Sequence, residues 1–347
     1  MNNDWKDFLR SNGAIFDRDT DEQFGTDSAV LHEFTRPVIS LVNWMGIARV
    51  SGADAQTFLQ AQCTGDIGNI EADTSRLSGY CDPKGRLLAI FRVLRDGKDF
   101  LLLTDSEILP AIVKRLKMYI LRMKVELTLQ DSQVVLGIAG PHAQQLAEKL
   151  IGKLRLHQNS AEQVYNVTAI STFMPTPRFL IVTNAQQIFA AWSNIRDHAI
   201  LVGSAEWSLL EIRAGIARIT PTTQQAFIPQ SVNLDLVGGV SFSKGCYPGQ
   251  EIVARVHYLG RLKQRMARAT FTSGTLPRAG DPILSGADRN QRVGVVINAV
   301  GLSDSTGEML ATVPISSIVG TELPLDRNGY QKIRLMDFPL QKKGGES

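Results

Sequence analysis

The chain repeats one short pattern, in which a strand-like run is followed by a glycine turn and an amphipathic helix. The first copy occupies residues 47–59 with Gly52 at the turn, and the second occupies residues 136–147 with Gly140 there. Glycine permits backbone angles that other residues avoid, so each turn is closely specified. A solenoid needs about three or more repeats. Two copies therefore predict two duplicated α/β subdomains.

Further strands and helices are predicted around these two copies. Apolar runs and alternation predict strands at residues 87–94, 100–104, 125–129, 169–173 and 179–183. Apolar spacing predicts helices at residues 108–123 and 188–198, the first with Ile112, Leu116 and Tyr119 or Ile120 on its buried face. Short β-type runs after residue 261, separated by Gly, Pro, Asp and Ser, predict a small antiparallel barrel or sandwich.

The predicted fold class is α+β, with two duplicated subdomains and a C-terminal β-barrel. A chain of 347 residues suits about two or three domains. We expect a first domain at 28–130, a second at 131–260 and the barrel at 261–340, with boundaries that can be discontinuous.

Composition and charge exclude several classes of protein. The net charge of +3 is small for this length, so no bulk attraction to nucleic acid or membrane is implied. Residues 1–27 are acidic and lack a signal or transit pattern, and no apolar run is long enough to span a membrane. We therefore expect a soluble cytoplasmic protein with no membrane partner.

The most specific motif is Lys-Gly-Cys-Tyr-Pro-Gly-Gln-Glu at residues 244–251. It places Cys246 in a turn made of two glycines and a proline, just before a helix predicted to begin at Gln250. Glu251 and Arg255 are spaced for an i,i+4 ion pair on that helix. A thiol near a helix N-terminus and a lysine loses its proton more easily. The predicted functional set is Cys246 with five neighbours: Lys244, Tyr247, Gln250, Glu251 and Arg255.

Further segments accompany this motif at residues 81–86, 227–230, 233–234, 238–242 and 253–255. Together they resemble the YgfZ-type folate-binding proteins, which belong to the superfamily of the glycine-cleavage T-protein, an aminomethyltransferase. The resemblance covers residues 41–313. It implies a ring-like arrangement with tetrahydrofolate near the centre. It also implies a role in the assembly or maintenance of iron–sulfur enzymes, including those that modify tRNA, with these enzymes or cluster-assembly proteins as transient partners.

The resemblance also implies folate contacts. Trp207 matches a folate-associated position and Trp44 is a second candidate, since an indole can stack on a flat pterin. Glu211 offers a carboxylate to the amino-pyrimidine edge of the ligand. Arg213 stands where T-proteins carry the pterin-binding glutamate. From the residues alone, Trp207 is equally well explained as a core residue, and Glu211 as a solvated surface charge.

One departure from the T-proteins concerns catalysis. Their acid pair, of which one acid is assigned to catalysis, falls near Ala89 and Ile90 in this chain. Neither side chain can move a proton, which argues against aminomethyl transfer and leaves open whether the protein is an enzyme. The alternative function is a folate-dependent one-carbon transferase or demethylase that uses Cys246 or a displaced acid.

Other polar residues have ordinary explanations. We expect Cys63 and Cys81 to be small buried hydrophobes. Basic runs at residues 114–124 and 261–268 allow a third function, a scaffold that docks RNA or a partner protein. The low net charge and the lack of an RNA-binding motif argue against direct RNA contact. The histidines show no metal spacing, so no metal site is expected, and His257 is a candidate for tuning the thiol of Cys246.

Overall fold

The protein folds as two compact units, each discontinuous in sequence. The structure, a computed structural model, describes residues 3–16, 22–24, 35–72, 74–151, 161–164, 167–172, 176–260, 262–317, 319–325 and 331–336. Unit 1 comprises Met1–Phe58, Asn69–Arg76 and Arg92–Trp207; unit 2 comprises Leu59–Gly68, Leu77–Phe91 and Ser208–Ser347. The division into domains at 28–130, 131–260 and 261–340, and their ring-like arrangement, stay predictions.

An N-terminal helix, α1 (Asn3–Ser11), is an element that the sequence pattern does not predict. Its Trp5 and Leu9 are buried, and both belong to the main apolar core of unit 1. The ring of Phe8 stacks on Trp5 with 5.5 Å between centroids. The surrounding acids obscure this apolar face in the sequence. A two-stranded ribbon follows, formed by β1 (Ile15–Phe16) and β2 (Glu22–Gln23).

The first repeat forms a five-stranded sheet and follows a separate strand, β3 (Val38–Leu41). Its strands are β4 (Met45–Ser51), β5 (Ser75–Cys81), β6 (Leu87–Asp96), β7 (Asp99–Asp105) and β8 (Glu126–Leu129). Its helices are α2 (Ala55–Gln62) and α3 (Leu109–Lys117). The strand order is β5-β6-β7-β4-β8. At the turn, Gly52 has φ +109°, and a Cβ there would lie 2.1 Å from the carbonyl oxygen of Lys124, so only glycine fits.

The helix predicted at residues 108–123 is shorter than the apolar spacing suggests. It ends at Lys117, where the N–H of Met118 bonds the carbonyls of Arg115 and Leu116. The following N–H groups of Tyr119 and Ile120 bond carbonyls three residues back, and Leu121 then adopts a left-handed φ of +50°, so the helix does not resume. The buried face includes Ile112 and Leu116 as predicted. The prediction that Tyr119 or Ile120 continues this face is wrong, because the helix ends before both; Tyr119 is 41% exposed and Ile120 is only half-buried.

The second repeat forms a six-stranded sheet. Its elements are β9 (Gln133–Ala139), α4 (Ala143–Ile151), β10 (Ala161–Val164), β11 (Val167–Thr172), β12 (Arg178–Asn184), α5 (Ala185–Ile195), a 3₁₀ turn (Arg196–His198) and β13 (Ile200–Val202). The strand order is β10-β11-β12-β9-β3-β13. In both repeats the last strand of a three-stranded meander lies antiparallel to the first strand of the repeat, as β7 with β4 and β12 with β9. This shared topology confirms the duplication.

The rest of unit 2 carries two helices and the C-terminal sheet. The helices are α6 (Ser204–Ala214), which begins in unit 1, and α7 (Gln250–Tyr258), with a 3₁₀ turn (Pro229–Val232) between them. The strands are β14 (Gln264–Thr272), β15 (Pro282–Leu284), β16 (Arg292–Gly301), β17 (Thr306–Pro314), β18 (Glu322–Pro324) and β19 (Lys332–Leu335). Their order is β15-β16-β17-β14-β19-β18, with the two edge strands in contact, so the sheet is a nearly closed barrel. The predicted α+β class and C-terminal barrel are confirmed.

Candidate functional site

The hairpin turn at residues 81–86 is fixed by one aspartate. The Asp82 Oδ1 atom accepts the backbone N–H groups of Lys84 and Arg86, each at 2.9 Å. The backbone N–H of Asp82 also bonds the carbonyl of Arg86, which closes the end of the β5–β6 hairpin. Asp82 was not singled out from the sequence, although an aspartate that bonds the backbone two residues on is a known turn signal.

This hairpin turn lies directly against the turn that carries Cys246. Gly249 has φ +79°, and a Cβ there would lie 2.5 Å from both the Asp82 carbonyl oxygen and the backbone of Gly85. Gly85 in turn packs on Ile252 of α7. The two glycines therefore allow two backbones to meet where any side chain would separate them. The structure thus joins the two sequence segments, 81–86 and 244–251, into one site in unit 2.

Lys244 anchors the cysteine turn to the C-terminal end of α2. Its ammonium donates to the carbonyl oxygens of Gln60, Cys63 (2.6 Å) and Gly65 (3.1 Å). The last carbonyls of a helix lack intrahelical donors and attract a cation, and an ammonium has three N–H groups to give. Burial lowers the pKa of Lys244. The structure therefore gives this lysine a positioning role.

Tyr247 lies beneath this lysine, near the buried thiol of Cys81. The Lys244 ammonium is 5.3 Å from the centroid of the Tyr247 ring, and Tyr247 is 6% exposed. Burial, with a smaller contribution from Cys81, raises the pKa of Tyr247. Burial also raises the pKa of Cys81, and it raises that of Cys63 to about 12. Both thiols are therefore held neutral inside unit 2, as expected for small buried hydrophobes.

Cys246 differs from the other two cysteines because it is exposed. The helix after it begins at Gln250 as predicted, and the Gln250 N–H bonds the Tyr247 carbonyl at 3.1 Å. The predicted ion pair between Glu251 and Arg255 is confirmed at 3.0 Å, with both side chains more than half exposed. The thiol is thus presented to solvent from a turn whose two ends are both fixed.

His257 lies on the exposed end of α7 in an aromatic cluster. Its ring stacks on Phe242, with centroids 3.7 Å apart and planes 14° apart. The ring of Tyr258 meets both at a steep angle and is 65% exposed. Among the described residues, no contact joins His257 to Cys246. An effect of His257 on the acidity of the Cys246 thiol therefore stays a prediction.

Side chains from the segments that resemble the YgfZ-type proteins form hydrogen bonds between elements of unit 2. The Gln230 amide donates to the Val253 carbonyl on α7 at 2.7 Å. The Asn233 amide donates to the Met266 carbonyl on β14 at 3.0 Å, from a left-handed φ of +58° that asparagine tolerates. The carbonyl of Gly239 accepts the hydroxyl of Thr64 at 2.6 Å, and the same hydroxyl accepts the Gly79 N–H at 2.7 Å. These side chains act as scaffold around the cysteine turn.

Trp207 lies in the interior of unit 1. It is 0% exposed, and its ring sits directly on Gly137 of β9, where a Cβ would approach the ring to 2.1 Å. The buried guanidinium of Arg178 lies over the same ring, 5.6 Å from its centroid. The interpretation of Trp207 as a core residue is confirmed, and a folate contact by this side chain stays a prediction.

Trp44, the second tryptophan candidate, is in the turn between β3 and β4 of unit 1. Its side chain is only partly buried, and its carbonyl accepts the Ser106 N–H at 2.8 Å. Of the two tryptophans, Trp44 is therefore the one with surface accessible to a ligand.

Glu211 and Arg213 lie at the end of α6 that belongs to unit 2. Glu211 is 8% exposed, so its interpretation as a solvated surface charge is wrong. The Arg213 guanidinium binds Glu308 Oε1 at 2.8 Å, and Arg268 binds the other oxygen of Glu308 at 2.9 Å. Arg213 is thus committed to an ion cluster inside unit 2, which the sequence did not reveal.

The positions expected for the T-protein acids lie on β6. Ala89 is fully buried and Ile90 is 8% exposed, so both are packed as strand residues. Asp82 is an acid at the turn of the same hairpin, and its Oδ1 is engaged with two backbone N–H groups. The hairpin therefore presents no carboxylate at the expected catalytic positions.

The basic runs behave as ordinary surface and scaffold. Lys114 and Lys117 form the exposed face of α3, opposite its buried apolar residues. Arg265 is paired with Asp235 at 3.0 Å, and Arg261 lies outside the described residues. Within the described ranges, no helix has the length and apolar character to cross a membrane, and no three metal-ligating side chains come together.

The fold resembles that of an aminomethyltransferase. The structure superposes on glycine cleavage system aminomethyltransferase T from Bartonella henselae with a TM-score of 0.76, covering 96% of each chain at 16% identity. Residues 35–177 match the family model of the GCVT N-terminal domain. These two matches define the class of fold, two T-protein-type subdomains with a C-terminal barrel.

Sequence similarity narrows the class further. The chain is 32% identical over 281 residues to the tRNA-modifying protein YgfZ of Escherichia coli O17:K52:H18, covering 81% of this chain and 85% of that protein. The same protein from Escherichia coli K12 strain DH10B matches with the same identity and coverage. The chain belongs to the YgfZ family.

Proposed function

We propose that this protein binds tetrahydrofolate and acts as an accessory protein in tRNA modification, supporting the iron–sulfur enzymes that carry it out. Its family relatives bear the name of tRNA-modifying proteins, and its fold resembles that of a glycine cleavage system aminomethyltransferase. Cys246 is proposed as the essential thiol.

The observation that carries this proposal is the difference in accessibility among the three cysteines. Cys63 and Cys81 are 0% and 1% exposed, whereas Cys246 is exposed. Its turn is held by the Lys244 ammonium on one side and by the contact of Gly249 with the hairpin on the other. A thiol that is exposed and fixed in position can meet a partner with little loss of entropy.

A single thiol also defines what the partner must bring. An iron–sulfur cluster is held by about four cysteine ligands. The described residues contain no group of three or more candidate ligands. In the proposal Cys246 therefore donates one ligand to a cluster that a client enzyme holds, or its thiolate attacks a client disulfide, forming a mixed disulfide and releasing the client's other sulfur as a thiolate.

The residues proposed for tetrahydrofolate fit its chemistry in part. Trp44 has an accessible aromatic surface for stacking on the pterin, and Glu211 is a carboxylate suited to the amino-pyrimidine edge. Trp207 is enclosed, so in this proposal it supports the site from within the core. The Arg213 guanidinium is paired with Glu308. In this proposal it contributes positive charge near Glu211, which lies two residues away in the sequence.

The thiol is tested by replacing Cys246 with Ala in cells that lack the endogenous protein. We expect Cys246→Ala to fold and bind tetrahydrofolate normally but to lose rescue of iron–sulfur enzyme activity. Ser243→Ala is the matched control, because it removes an exposed polar group of similar size from the same turn. Full rescue by Cys246→Ala would remove the thiol from the proposal.

Folate binding is tested by titration with tetrahydrofolate, followed through quenching of tryptophan fluorescence. We expect Trp44→Phe to weaken both affinity and quenching. Trp192→Phe is the matched control, because Trp192 is a buried indole of unit 1 that bonds Asn12 at 2.7 Å. Unchanged affinity in both Trp44→Phe and Trp207→Phe would place the ligand elsewhere.

The one-carbon transferase function predicts a different result. It requires turnover of a methylated or aminomethylated donor with formation of methylene-tetrahydrofolate. Ala89 and Ile90 supply no acid for that reaction, and Asp82 is engaged in its turn. We expect no turnover with such donors, and sustained turnover would replace the accessory function by an enzymatic one.

A further inference from the structure

A cavity of about 320 Å³ opens on the surface of unit 1. None of the described residues that line it belongs to the candidate functional site above. Three separate segments line it: the residues just before β3, the first two turns of α4, and the 3₁₀ turn after α5. Leu146 and Pro37 supply its apolar lining. Its volume is at the lower end of the range for small-molecule sites, about 300 to 1,000 Å³.

Four basic side chains surround this cavity. They come from all three segments: Arg36, His142, Lys149 and His198. None of the described residues that line it is an aspartate or a glutamate. Two acids lie next to lining residues in sequence, and both have partners. The carboxylate of Asp197 pairs with Arg196 at 3.3 Å, and that of Glu148 accepts the Gln144 amide at 2.8 Å.

The Arg36 side chain is oriented by a hydrogen bond to another of the three segments that line the cavity. Its Nη2 donates to the backbone carbonyl of Asp197 at 3.0 Å, which ties the segment before β3 to the 3₁₀ turn. A guanidinium has five N–H groups in a planar fork, so this single bond leaves donors for a ligand. The cavity therefore combines a positioned guanidinium with an ammonium and two imidazoles.

The first repeat carries an acidic residue at the position that corresponds to His142. His142 corresponds to Asp54, since both lie two residues after the turn glycine and both accept a helical N–H, from Leu146 and Phe58 respectively. The Asp54 carboxylate accepts the backbone N–H of Lys124 at 2.7 Å, so this acidic side chain is engaged within the chain. In the second repeat, a basic side chain and a cavity occupy the equivalent position.

We propose that this cavity binds the phosphate group of a small phosphorylated ligand. Phosphate suits guanidinium and ammonium donors. The apolar lining of Leu146 and Pro37 accommodates the carbon skeleton that carries the phosphate. The function proposed above does not include this site, and neither depends on the other.

Isothermal titration calorimetry tests this site on the purified full-length protein, with inorganic pyrophosphate and adenosine monophosphate as probes. We expect saturable binding of both at one site per chain. The double variant Arg36→Gln/Lys149→Gln should weaken binding by about tenfold or more, because two charge-assisted contacts are lost. Lys149→Gln alone should also weaken pyrophosphate binding, but by less than the double variant. Because Lys149 is exposed, this single variant tests the site even if the double variant folds poorly.

The matched control is Lys114→Gln/Lys117→Gln. It removes the same charge from an exposed face of unit 1 and should leave affinity within about twofold. Equal losses in the control and the double variant would overturn the proposal, because they would indicate unspecific attraction. Absence of pyrophosphate binding would also overturn it, as would binding of transfer RNA alone.

Tetrahydrofolate titration of the same variants separates this proposal from the function proposed above. We expect the double variant to retain tetrahydrofolate affinity. Parallel loss of both ligands would overturn the proposal of a separate phosphate site, whereas loss of pyrophosphate binding alone supports it.

Discussion

Cys246 and Trp207, both nominated as functional residues, lie at opposite extremes of exposure. The cysteine is exposed on a turn of unit 2, whereas the indole is 0% exposed within unit 1. The turn of Cys246 is fixed by its neighbours, and few atoms surround the thiol itself. Trp207 contacts Gly137 directly and lies under the guanidinium of Arg178.

This contrast distinguishes two ways in which a substitution can reduce function. Replacing a buried residue removes packing and changes the free energy of unfolding. Replacing an exposed thiol on a fixed turn leaves packing intact and changes only what the protein can contact. Loss of function at Trp207 must therefore be corrected for loss of stability, whereas loss of function at Cys246 needs no such correction.

The largest expected effect is at Trp207. Trp207→Ala should lower the free energy of unfolding by about 4 kcal/mol, because it leaves a large cavity against β9. Trp44→Ala is the control, since Trp44 is partly exposed and should cost clearly less. Chemical denaturation measures both. Equal losses for the two variants would break the contrast between the enclosed and the accessible tryptophan.

The next effect concerns the ion cluster around Glu308. Glu308→Gln should lower the free energy of unfolding by about 3 kcal/mol, because it leaves Arg213 and Arg268 without their buried counter-charge. The control is Glu251→Gln, whose exposed pair with Arg255 should be worth less than about 0.5 kcal/mol. A small effect at Glu308, measured by the same denaturation, would mean that the cluster is screened by solvent.

A smaller effect is expected at Lys244. Lys244→Met should cost about 1 to 2 kcal/mol, because the carbonyls at the end of α2 lose their donor. The control is Lys84→Met, an exposed lysine on the neighbouring hairpin turn. Hydrogen exchange should also show faster opening of residues 241–249 in Lys244→Met. Unchanged exchange would show that the glycine contact alone holds the turn.

The buried thiols predict a dependence of stability on pH. The pKa of Cys63 is about 12 in the folded state, above its ordinary value of 9.0. The unfolded chain therefore loses this proton first, and the stability contributed by Cys63 is complete below pH 9 and falls between pH 9 and 12. At pH 10 the loss is about 1 kcal/mol.

Denaturation of wild type and Cys63→Ala across this range isolates the contribution of Cys63. The difference in unfolding free energy between the two should shift in favour of the variant as pH rises. A difference that stays constant from pH 8 to pH 11 would contradict a neutral, enclosed Cys63.

The smallest effect on stability is expected at Cys246. Cys246→Ala should change the free energy of unfolding by less than about 0.5 kcal/mol, as for exposed positions generally. Alkylation of the native protein should modify Cys246 while leaving Cys63 and Cys81 unmodified, and peptide mass analysis identifies the sites. Rapid modification of either buried thiol would remove the distinction on which the proposed function depends.

Much of the fold could be predicted from the sequence because its signals are local. Gly52 and the strand and helix around it follow from residues close together in the chain, and so does the ion pair between Glu251 and Arg255. Helix α3 shows where local signals fail. Its apolar spacing continues past Lys117, but the helix ends there and the left-handed backbone at Leu121 keeps it from resuming.

The candidate site was predicted only in part. The sequence identified Cys246 because glycine and proline specify a turn through backbone chemistry that needs no distant partner. It assigned Lys244 to the thiol, whereas this lysine bonds carbonyls 179 to 184 residues away along the chain. Glu308 was missed for the same reason, since its partner Arg213 is 95 residues distant.

The sequence by itself determined the duplicated architecture, the cysteine turn and the family of this protein. Tertiary structure alone decided which cysteine is exposed, that Trp207 is enclosed, and that Arg36, His142, Lys149 and His198 meet around one cavity. The physical reason is that turns and helix starts depend on bonds among near neighbours. Burial and charge clustering depend instead on which distant segments the fold brings together.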